Sequence, residues 1–133
     1  MCGISGVVGL KNISELLFEG IRNLEYRGYD SCGVALMNKT HLIIKKDIGG
    51  VEEFYRKHNV LQQKSNIGIA HTRWATHGKV TQNNTHPFTS RNGNFAVVHN
   101  GIISNYRSLR DSLKKEGYKF SSETDTEVIA HLL

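Results

Sequence analysis

Apolar residues recur at helical spacing along residues 12–24. The residues on this face are Ile13, Leu16, Leu17, Ile21 and Leu24. Their spacing of three and four residues is typical of an amphipathic helix with one buried side. Asn12, with Glu15 three residues later, is typical of a capping box at the start of a helix, and Gly28 is a natural stop. The pattern therefore predicts a first helix here.

Short apolar runs between turn residues predict the strands. They cover residues 3–10, 31–37, 41–46, 66–72, 95–99 and 118–121. The runs at 31–37 and 41–46 are separated by Asn-Lys-Thr and predict a hairpin. The run at 95–99 is almost continuously apolar, so we expect a strand buried on both faces.

Three more helices are predicted in the rest of the chain. A weak pattern covers residues 51–63. Another helix begins at Asn105 and stops at Gly117, with an apolar face of Tyr106, Leu109 and Leu113. A last helix opens at Thr124, with Glu127 completing a capping box. Residues 74–87 show no period and predict a long loop. The apolar face of the last helix consists of Val128, Ile129, Leu132 and Leu133.

The order of these elements predicts an α+β fold. Strands come in runs rather than in strict alternation with helices, which favours a mostly antiparallel sheet with helices packed on it. The last helix has about two turns and ends on two leucines. A helix this short is marginal unless it packs on a partner, so we expect the natural domain to continue beyond residue 133.

Composition and charge exclude several classes of protein. Hydrophobic residues make up 38% of the 133, which is too many for a disordered chain. No apolar run is long enough to span a membrane, and the first residues lack the basic and apolar regions of a signal peptide. The net charge of +5 would suit a nucleic-acid-binding module, but the basic residues are scattered. We expect a soluble cytoplasmic protein that binds neither nucleic acid nor membrane.

Cys2 is the first candidate for chemistry. A cysteine is small enough for the initiator methionine to be removed, which would leave Cys2 with a free α-amino group. That group has a reference pKa near 8 and could deprotonate the thiol of the same residue. The alternative is that Cys2 is simply a small residue near the start. The other cysteine, Cys32, is expected to be a small buried hydrophobe.

Three further segments carry candidate binding groups. Arg73 offers a fork that matches a carboxylate, beside the apolar Trp74 and the hydroxyl of Thr76. Asn100 and the N–H of Gly101 could converge on an oxyanion, and an acidic group at residues 123–127 could hold an ammonium. In isolation each segment is equally compatible with a surface arginine, an Asn-Gly turn or a helix cap.

A metal site is not favoured by the pattern. His71, His77, His86 and His99 are potential ligands, but no two histidines have the spacing of four that places them on one helix face. We expect no metal and no organic cofactor.

Taken in order, these segments carry a family resemblance. The motifs are MCGI (1–4), LEYRGYDS (24–31), AHTRWATHG (70–78), HNGII (99–103) and SETDTEVI (122–129). They resemble the glutaminase domain of the glutamine–fructose-6-phosphate aminotransferase family, within the class II glutamine amidotransferases. The forms RGYD (27–30) and RWAT (73–76) are similar to its sugar-aminating branch.

The resemblance implies a fold, a reaction and a set of roles. The fold is that of the N-terminal nucleophile hydrolases, with antiparallel sheets sandwiched by helices. The reaction is hydrolysis of L-glutamine through a cysteine thioester, and the ammonia then aminates fructose-6-phosphate to glucosamine-6-phosphate. The roles implied are nucleophile for Cys2, oxyanion hole for Asn100 and Gly101, carboxylate binding for Arg73, ammonium binding for Asp125, glutamine-loop positions for Thr76 and His77, and ammonia-channel gate for Trp74.

The family pattern is longer than this chain. A glutaminase domain in the family has roughly 240 residues, followed by two sugar-isomerase domains that bind fructose-6-phosphate and form homo-oligomers. Residues 1–133 therefore resemble the N-terminal portion of the first domain, without the isomerase domains. An alternative from another class is a non-catalytic fragment that folds or acts only with a partner chain.

Overall fold

The structure, a computed structural model, describes residues 2–75 and 79–133. Its centre is a four-stranded sheet in which every neighbouring pair is antiparallel. The order across the sheet is β1, β4, β2, β3. The strands are β1 (Gly3–Val8), β2 (Ser31–Met37), β3 (Leu42–Ile48) and β4 (Ile67–Arg73).

Two helices cover one face of this sheet. They are α1 (Ser14–Arg22) and α2 (Val51–Lys57), and short 3-10 turns follow at Glu25–Arg27 and Val60–Gln62. Every second residue of β2 turns toward them, because side chains alternate along a strand. The resulting core contains Ile13, Leu17, Ile21, Cys32, Val34, Leu36, Val51, Phe54, Tyr55, Val60 and Ala70.

The second half of the chain lies on the opposite face. Its elements are a 3-10 turn (Gln82–Asn84), β5 (Phe88–Thr89), β6 (Ala96–Val97), α3 (Tyr106–Lys115) and α4 (Glu127–Leu132). The backbone of this half approaches β2 so closely that a Cβ on Gly33 would overlap the carbonyl oxygen of His86. Lys46 of β3 donates to the carbonyls of Thr85 and Pro87, at 2.9 and 3.3 Å.

The sequence predicted most of these elements, and the α+β class with an antiparallel sheet is confirmed. The boundaries of β2 and the hairpin to β3 agree with the prediction. The helix ending at Gly117 is also confirmed. Gly117 has a φ of +87°, and the N–H of Tyr118 donates to the carbonyl of Leu113 at 3.0 Å, which closes the helix as a Schellman turn does.

The starts of two helices were predicted wrongly. The first helix begins at Ser14, with Ile13 in the cap position. Asn12 lies one residue earlier, and its side chain accepts hydrogen bonds from the Ser14 hydroxyl at 3.1 Å and from the N–H of Ser65 at 3.0 Å. It therefore ties the start of α1 to the start of β4 instead of capping the helix alone.

The start of the last helix was also predicted wrongly, as the position of Glu127 shows. It is the first residue of α4 and does not complete a capping box with Thr124. Its carboxylate accepts four hydrogen bonds from the N–H and hydroxyl groups of Ser121 and Ser122, at 2.6–2.8 Å. The N–H groups of these serines therefore donate to a side chain instead of to a neighbouring strand. Among the described residues, the structure has no strand at the predicted positions 118–121.

The strand predicted at residues 95–99 is shorter and less buried than expected. Only Ala96–Val97 pair, with β5, and both are half-buried. Phe95 is 46% exposed. The apolar pattern predicted that both faces of this strand would be covered by other elements, and within the described residues the strand pairs with β5 alone.

None of the helices in residues 2–75 and 79–133 is long and apolar enough to cross a membrane.

Candidate active site

Five segments that are separate in the sequence meet where β1 begins and β4 ends. They enclose a cavity of about 40 Å³, room for a few water molecules. The lining residues are Cys2, Arg73, Trp74, His86, His99, Asn100, Gly101, Thr124, Asp125 and Thr126. The site residues predicted from sequence thus come together wherever the structure describes them. The predicted Thr76 and His77 lie outside the described residues.

The register of two strands explains why Cys2 and Arg73 are neighbours. Gly3 pairs with Thr72 in the antiparallel ladder of β1 and β4, so the residue before Gly3 lies beside the residue after Thr72. Gly3 fits tightly, since a Cβ there would lie 2.6 Å from Cβ of Leu24. Alternation along both strands then places Cys2 and Arg73 on the face away from α1.

The thiol of Cys2 contacts main-chain groups on its own side of the cavity. Its Sγ accepts the N–H of Trp74 at 3.4 Å and lies 3.7 Å from the carbonyl oxygen of Trp74. The side-chain amide of Asn100 donates to the carbonyl oxygen of Cys2 at 3.1 Å. An amide donor therefore lies next to the main chain of the nucleophile candidate.

Arg73 is a buried cation at the end of β4. Its exposed fraction is 3%, and Nη1 donates to the carbonyl of Lys79 at 3.2 Å. Burial lowers the pKa of its guanidinium, while Cys2 and Asp30 act in the opposite direction. An anionic ligand in the cavity would offset the cost of keeping this charge away from water.

The main chain around Arg73 is fastened by Asp30. The N–H of Asp30 donates to the carbonyl of Arg73 at 3.1 Å, and its carboxylate accepts the N–H of Ala75 at 2.7 Å. Gly28, two residues earlier, lies against the same peptide. The RGYD segment thus fixes the end of β4. This strand end carries Arg73, and the residue after it contacts the thiol of Cys2.

Asp125 lies across the cavity from these groups. One carboxylate oxygen accepts the N–H of Ile103 at 2.7 Å, and among residues 2–75 and 79–133 the other has a single long contact, 3.5 Å, with the hydroxyl of Thr126. The hydrogen bond to Ile103 links the acidic segment to the segment of Asn100 and Gly101. The second oxygen remains suited to a cation such as an α-ammonium group.

Trp74 forms the outer wall beside Cys2. Its ring packs edge-on against Tyr29 at 5.6 Å, and 43% of the residue is exposed. Sequence reasoning selected Trp74 but gave no role to Tyr29, which lies in the same motif as Gly28.

The sequence analysis considered His71, His86 and His99 as metal ligands and did not predict their position behind the cavity. The hydroxyl of Thr126 lies 3.2 Å from both His86 Nε2 and His99 Nδ1. The ring of His86 also stacks on His71 at 4.1 Å. Burial lowers the pKa of His71 to about 4 and that of His86 to about 2, so both rings are neutral at pH 7. In residues 2–75 and 79–133, no group of three potential ligands could hold a metal ion.

Cys32 does not belong to this site. It is fully buried among the core residues of β2, and burial raises the pKa of its thiol. The prediction that Cys32 is a small hydrophobic core residue is confirmed.

Comparison with protein families places these residues in a known context. The model of the glutamine amidotransferase domain matches residues 56–133, which is more than half of the chain. The chain belongs to the glutamine amidotransferase domain family. The match includes Arg73, Asn100, Gly101 and Asp125, and the segment with Cys2 precedes it.

Similar proteins from bacteria and archaea cover the whole chain. It is 54% identical to a glutamine–fructose-6-phosphate aminotransferase (isomerizing) of Acinetobacter baylyi and 50% identical to one of Pyrococcus horikoshii. The matches cover 100% of this chain but only 21% and 22% of those proteins. The amidotransferase chain thus spans about a fifth of the length of the curated relatives it matches.

Solved structures support the fold. A glutamine phosphoribosylpyrophosphate amidotransferase from B. subtilis, complexed with ADP and GMP, superposes with a TM-score of 0.83 at 30% identity. That match covers 98% of this chain and 29% of the other. An allosteric regulatory enzyme of purine biosynthesis gives a TM-score of 0.80 at 28% identity. The amidotransferase chain has the N-terminal nucleophile hydrolase type of fold.

Proposed function

We propose that this chain is the N-terminal portion of a class II glutaminase domain, which hydrolyses L-glutamine to glutamate and ammonia. The observation that carries the proposal is the meeting of Cys2, Asn100, Arg73 and Asp125 around one cavity. These groups supply a nucleophile, an oxyanion donor, a cation for the α-carboxylate and an anion for the α-ammonium. Together they match the charges and the reacting amide of glutamine.

In the proposed first step the α-amino group of Cys2, freed by removal of Met1, takes the thiol proton. The thiolate attacks the side-chain amide carbon of glutamine, and the carbonyl oxygen gains negative charge. The side-chain amide of Asn100 and the N–H of Gly101 stabilise this oxyanion. The C–N bond breaks when the same amino group returns the proton to nitrogen, so ammonia leaves and a thioester remains.

In the second step a water molecule attacks the thioester carbon. The α-amino group accepts a proton from this water, and the same oxyanion donors act again. The C–S bond breaks, the sulfur regains its proton and glutamate leaves. Arg73 and Asp125 hold the α-carboxylate and the α-ammonium, which share one carbon of the substrate, and this fixes the direction in which the side-chain amide reaches toward Cys2. We propose Trp74 as the wall beside which ammonia leaves.

The test is the intact mass of the purified chain before and after incubation with 6-diazo-5-oxo-L-norleucine, a diazoketone analogue of glutamine. The thiol adds to the diazo carbon, N2 leaves, and the thiol proton goes to that carbon. We expect loss of one methionine and one adduct in the parent chain and in Cys32→Ala, and no adduct in Cys2→Ala. Glutaminase activity of Cys2→Ala within tenfold of the parent would refute the proposal.

Exposed apolar residues favour a second candidate, in which the site works only when a partner chain is present. Ile102 is 75% exposed, and Leu132 and Leu133 are 58% and 62% exposed. A covered apolar surface would stabilise α4, which has only six residues. This candidate predicts concentration-dependent association, and a monomeric chain with a cooperative thermal transition and full labelling would contradict it.

The names of the relatives support a wider proposal. In a longer protein that also carries sugar-isomerase domains, the ammonia would aminate fructose-6-phosphate. We propose that such a protein is a cytoplasmic homo-oligomer. A coupled assay with fructose-6-phosphate would test the acceptor, and glucosamine-6-phosphate is the expected product.

A further inference from the structure

A ring of hydrogen bonds joins the two charged groups proposed to bind glutamine. Asn84 and Glu123 form its centre. The sequence analysis assigned no role to Asn84 and considered Glu123 only as part of the acidic group at residues 123–127. Asn84 is 2% exposed and lies at the end of the 3-10 turn Gln82–Asn84, while Glu123 lies two residues before Asp125. We call Asn84 and Glu123, with the peptide groups of Lys79, the clamp.

The Asn84 side chain is fully committed within this clamp. Its Nδ2 donates to the carbonyl of Lys79 at 3.0 Å and to Oε2 of Glu123 at 3.0 Å. Its Oδ1 accepts the N–H of Glu123 at 2.8 Å. A flipped amide would place oxygen against two acceptors and nitrogen against a donor, so the network permits one orientation only.

Glu123 and Lys79 close the ring. The N–H of Lys79 donates to Oε2 of Glu123 at 3.3 Å. Hydrogen bonds from Asn84 and from the N–H of Lys79 lower the pKa of the Glu123 carboxyl, so it is charged at pH 7. The carbonyl of Lys79 accepts from Asn84 and also from Nη1 of Arg73, at 3.2 Å. Both the N–H and the carbonyl of Lys79 are therefore hydrogen-bonded, and one donor to the carbonyl is the buried Arg73.

We propose that Asn84 and Glu123 are positioning residues for glutamine binding. The clamp fixes the carbonyl of Lys79, which is one acceptor of Arg73, and through the backbone of Glu123 it supports the segment that carries Asp125. This side-chain pair is therefore one determinant of the distance between the cation and the anion that hold the substrate. This inference rests on the proposed function, because it assumes that these two groups bind the α-carboxylate and the α-ammonium.

The predicted consequence is a loss of affinity without a loss of chemistry. Neither clamp residue lines the cavity with Cys2, so the reacting thiol and its oxyanion donor keep their contacts. Asn84→Asp would place a second carboxylate 3.0 Å from that of Glu123 and an acceptor against the carbonyl of Lys79. Like charges at this distance repel, and the clamp would open.

The experiment measures labelling by 6-diazo-5-oxo-L-norleucine at several concentrations, read as intact mass. This separates the half-saturating concentration from the maximal rate. For Asn84→Asp we expect the half-saturating concentration to rise about tenfold, with a maximal rate within twofold of the parent. The matched control is Asn83→Asp, which makes the same charge change at an exposed neighbour. It should leave both values unchanged.

Glu123 provides a second pair of variants, because its side chain is exposed and its loss is tolerable for folding. Glu123→Ala removes the acceptor and should raise the half-saturating concentration, while Glu123→Gln keeps one carbonyl oxygen and should restore most of the affinity. Equal behaviour of these two variants, or an unchanged half-saturating concentration in Asn84→Asp, would overturn the inference.

Arg73→Lys separates this failure from failure of the proposed function. If Arg73→Lys weakens binding and the clamp variants do not, only the inference is wrong. If Arg73→Lys also leaves binding unchanged, or the parent chain takes no label, the proposed function is wrong and the clamp has no substrate to position.

Discussion

Gly28 lies directly against the peptide group between Arg73 and Trp74, and a substitution there tests how strongly the site depends on this close contact. Its φ of −178° is extended, so any residue could adopt its backbone conformation. A Cβ at this position, however, would lie 2.6 Å from the carbonyl carbon of Arg73 and 2.8 Å from the N of Trp74. The effect of Gly28→Ala is therefore steric. It acts on the peptide group between Arg73 and Trp74, whose N–H contacts the thiol of Cys2.

The magnitude follows from these distances. The Arg73–Trp74 peptide must retreat by about 0.8 Å before the new Cβ reaches ordinary van der Waals contact at 3.4 Å. Overpacking of this kind typically costs about 1–3 kcal/mol of stability. The same shift moves the N–H that contacts Cys2 Sγ, and a misplacement of about 1 Å can slow a reaction about a hundredfold.

The assay combines urea unfolding with labelling by 6-diazo-5-oxo-L-norleucine. Gly6→Ala is the matched control, since a Cβ there would meet Cγ2 of Ile69 at an ordinary 3.7 Å. We expect Gly6→Ala to keep the parent stability or gain up to about 1 kcal/mol, because alanine restricts the unfolded chain. Gly28→Ala with the stability and labelling rate of Gly6→Ala would refute the reasoning.

Three further predictions concern the core, the histidines and the second thiol. Leu17→Ala should lower the free energy of unfolding by about 2–5 kcal/mol and the exposed Leu16→Ala by less than about 0.5 kcal/mol, measured in urea; equal losses would contradict the core assignment. His71 and His86 are neutral in the folded chain at pH 7, because burial lowers the pKa of both rings. The unfolded chain therefore binds more protons between about pH 6.5 and 4, and the free energy of unfolding should fall there by at most about 2.7 kcal/mol per pH unit. A free energy of unfolding in urea that stays constant over this pH range would contradict this prediction. Iodoacetamide should modify Cys32 only after unfolding, by mass, and native modification would disprove its burial.

Local patterns predicted the elements where local physics decides the structure. The buried positions Leu17 and Ile21 of α1, the hairpin between β2 and β3 and the stop at Gly117 depend on neighbours within a few residues. Leu16 was predicted on the same apolar face as Leu17 but is 59% exposed. The errors occurred where a side chain took hydrogen bonds that the pattern had assigned to another partner. Glu127 accepts the N–H groups of Ser121 and Ser122, which a strand would have needed, and the cap of α4 is Thr126, two residues after the predicted Thr124.

The site was predictable as a set of residues but not as a geometry. Cys2, Arg73 and Asn100 were candidates because of their chemistry near the ends of predicted elements, and the family resemblance then singled out Asp125 and implied a role for each of the four. Asn84 lies in a stretch without a period and contacts a residue 39 positions away. Nothing in its neighbourhood distinguishes it from the exposed Asn83, because only the folded chain shows which of the two amides is buried.

The placement of Cys2, the proposed nucleophile, depends on the register of an outer strand. β1 lies at the end of the sheet order, so its pairing with β4 has to fix its position along the sheet. A shift by one residue would turn every side chain of β1 to the other face and carry Cys2 away from Arg73. Gly3 opposes such a shift, because its place between Leu24 and the hydroxyl of Thr72 leaves no room for a Cβ. The glycine after the proposed nucleophile therefore supports the site through the register, since any larger residue there would move the thiol from the cavity.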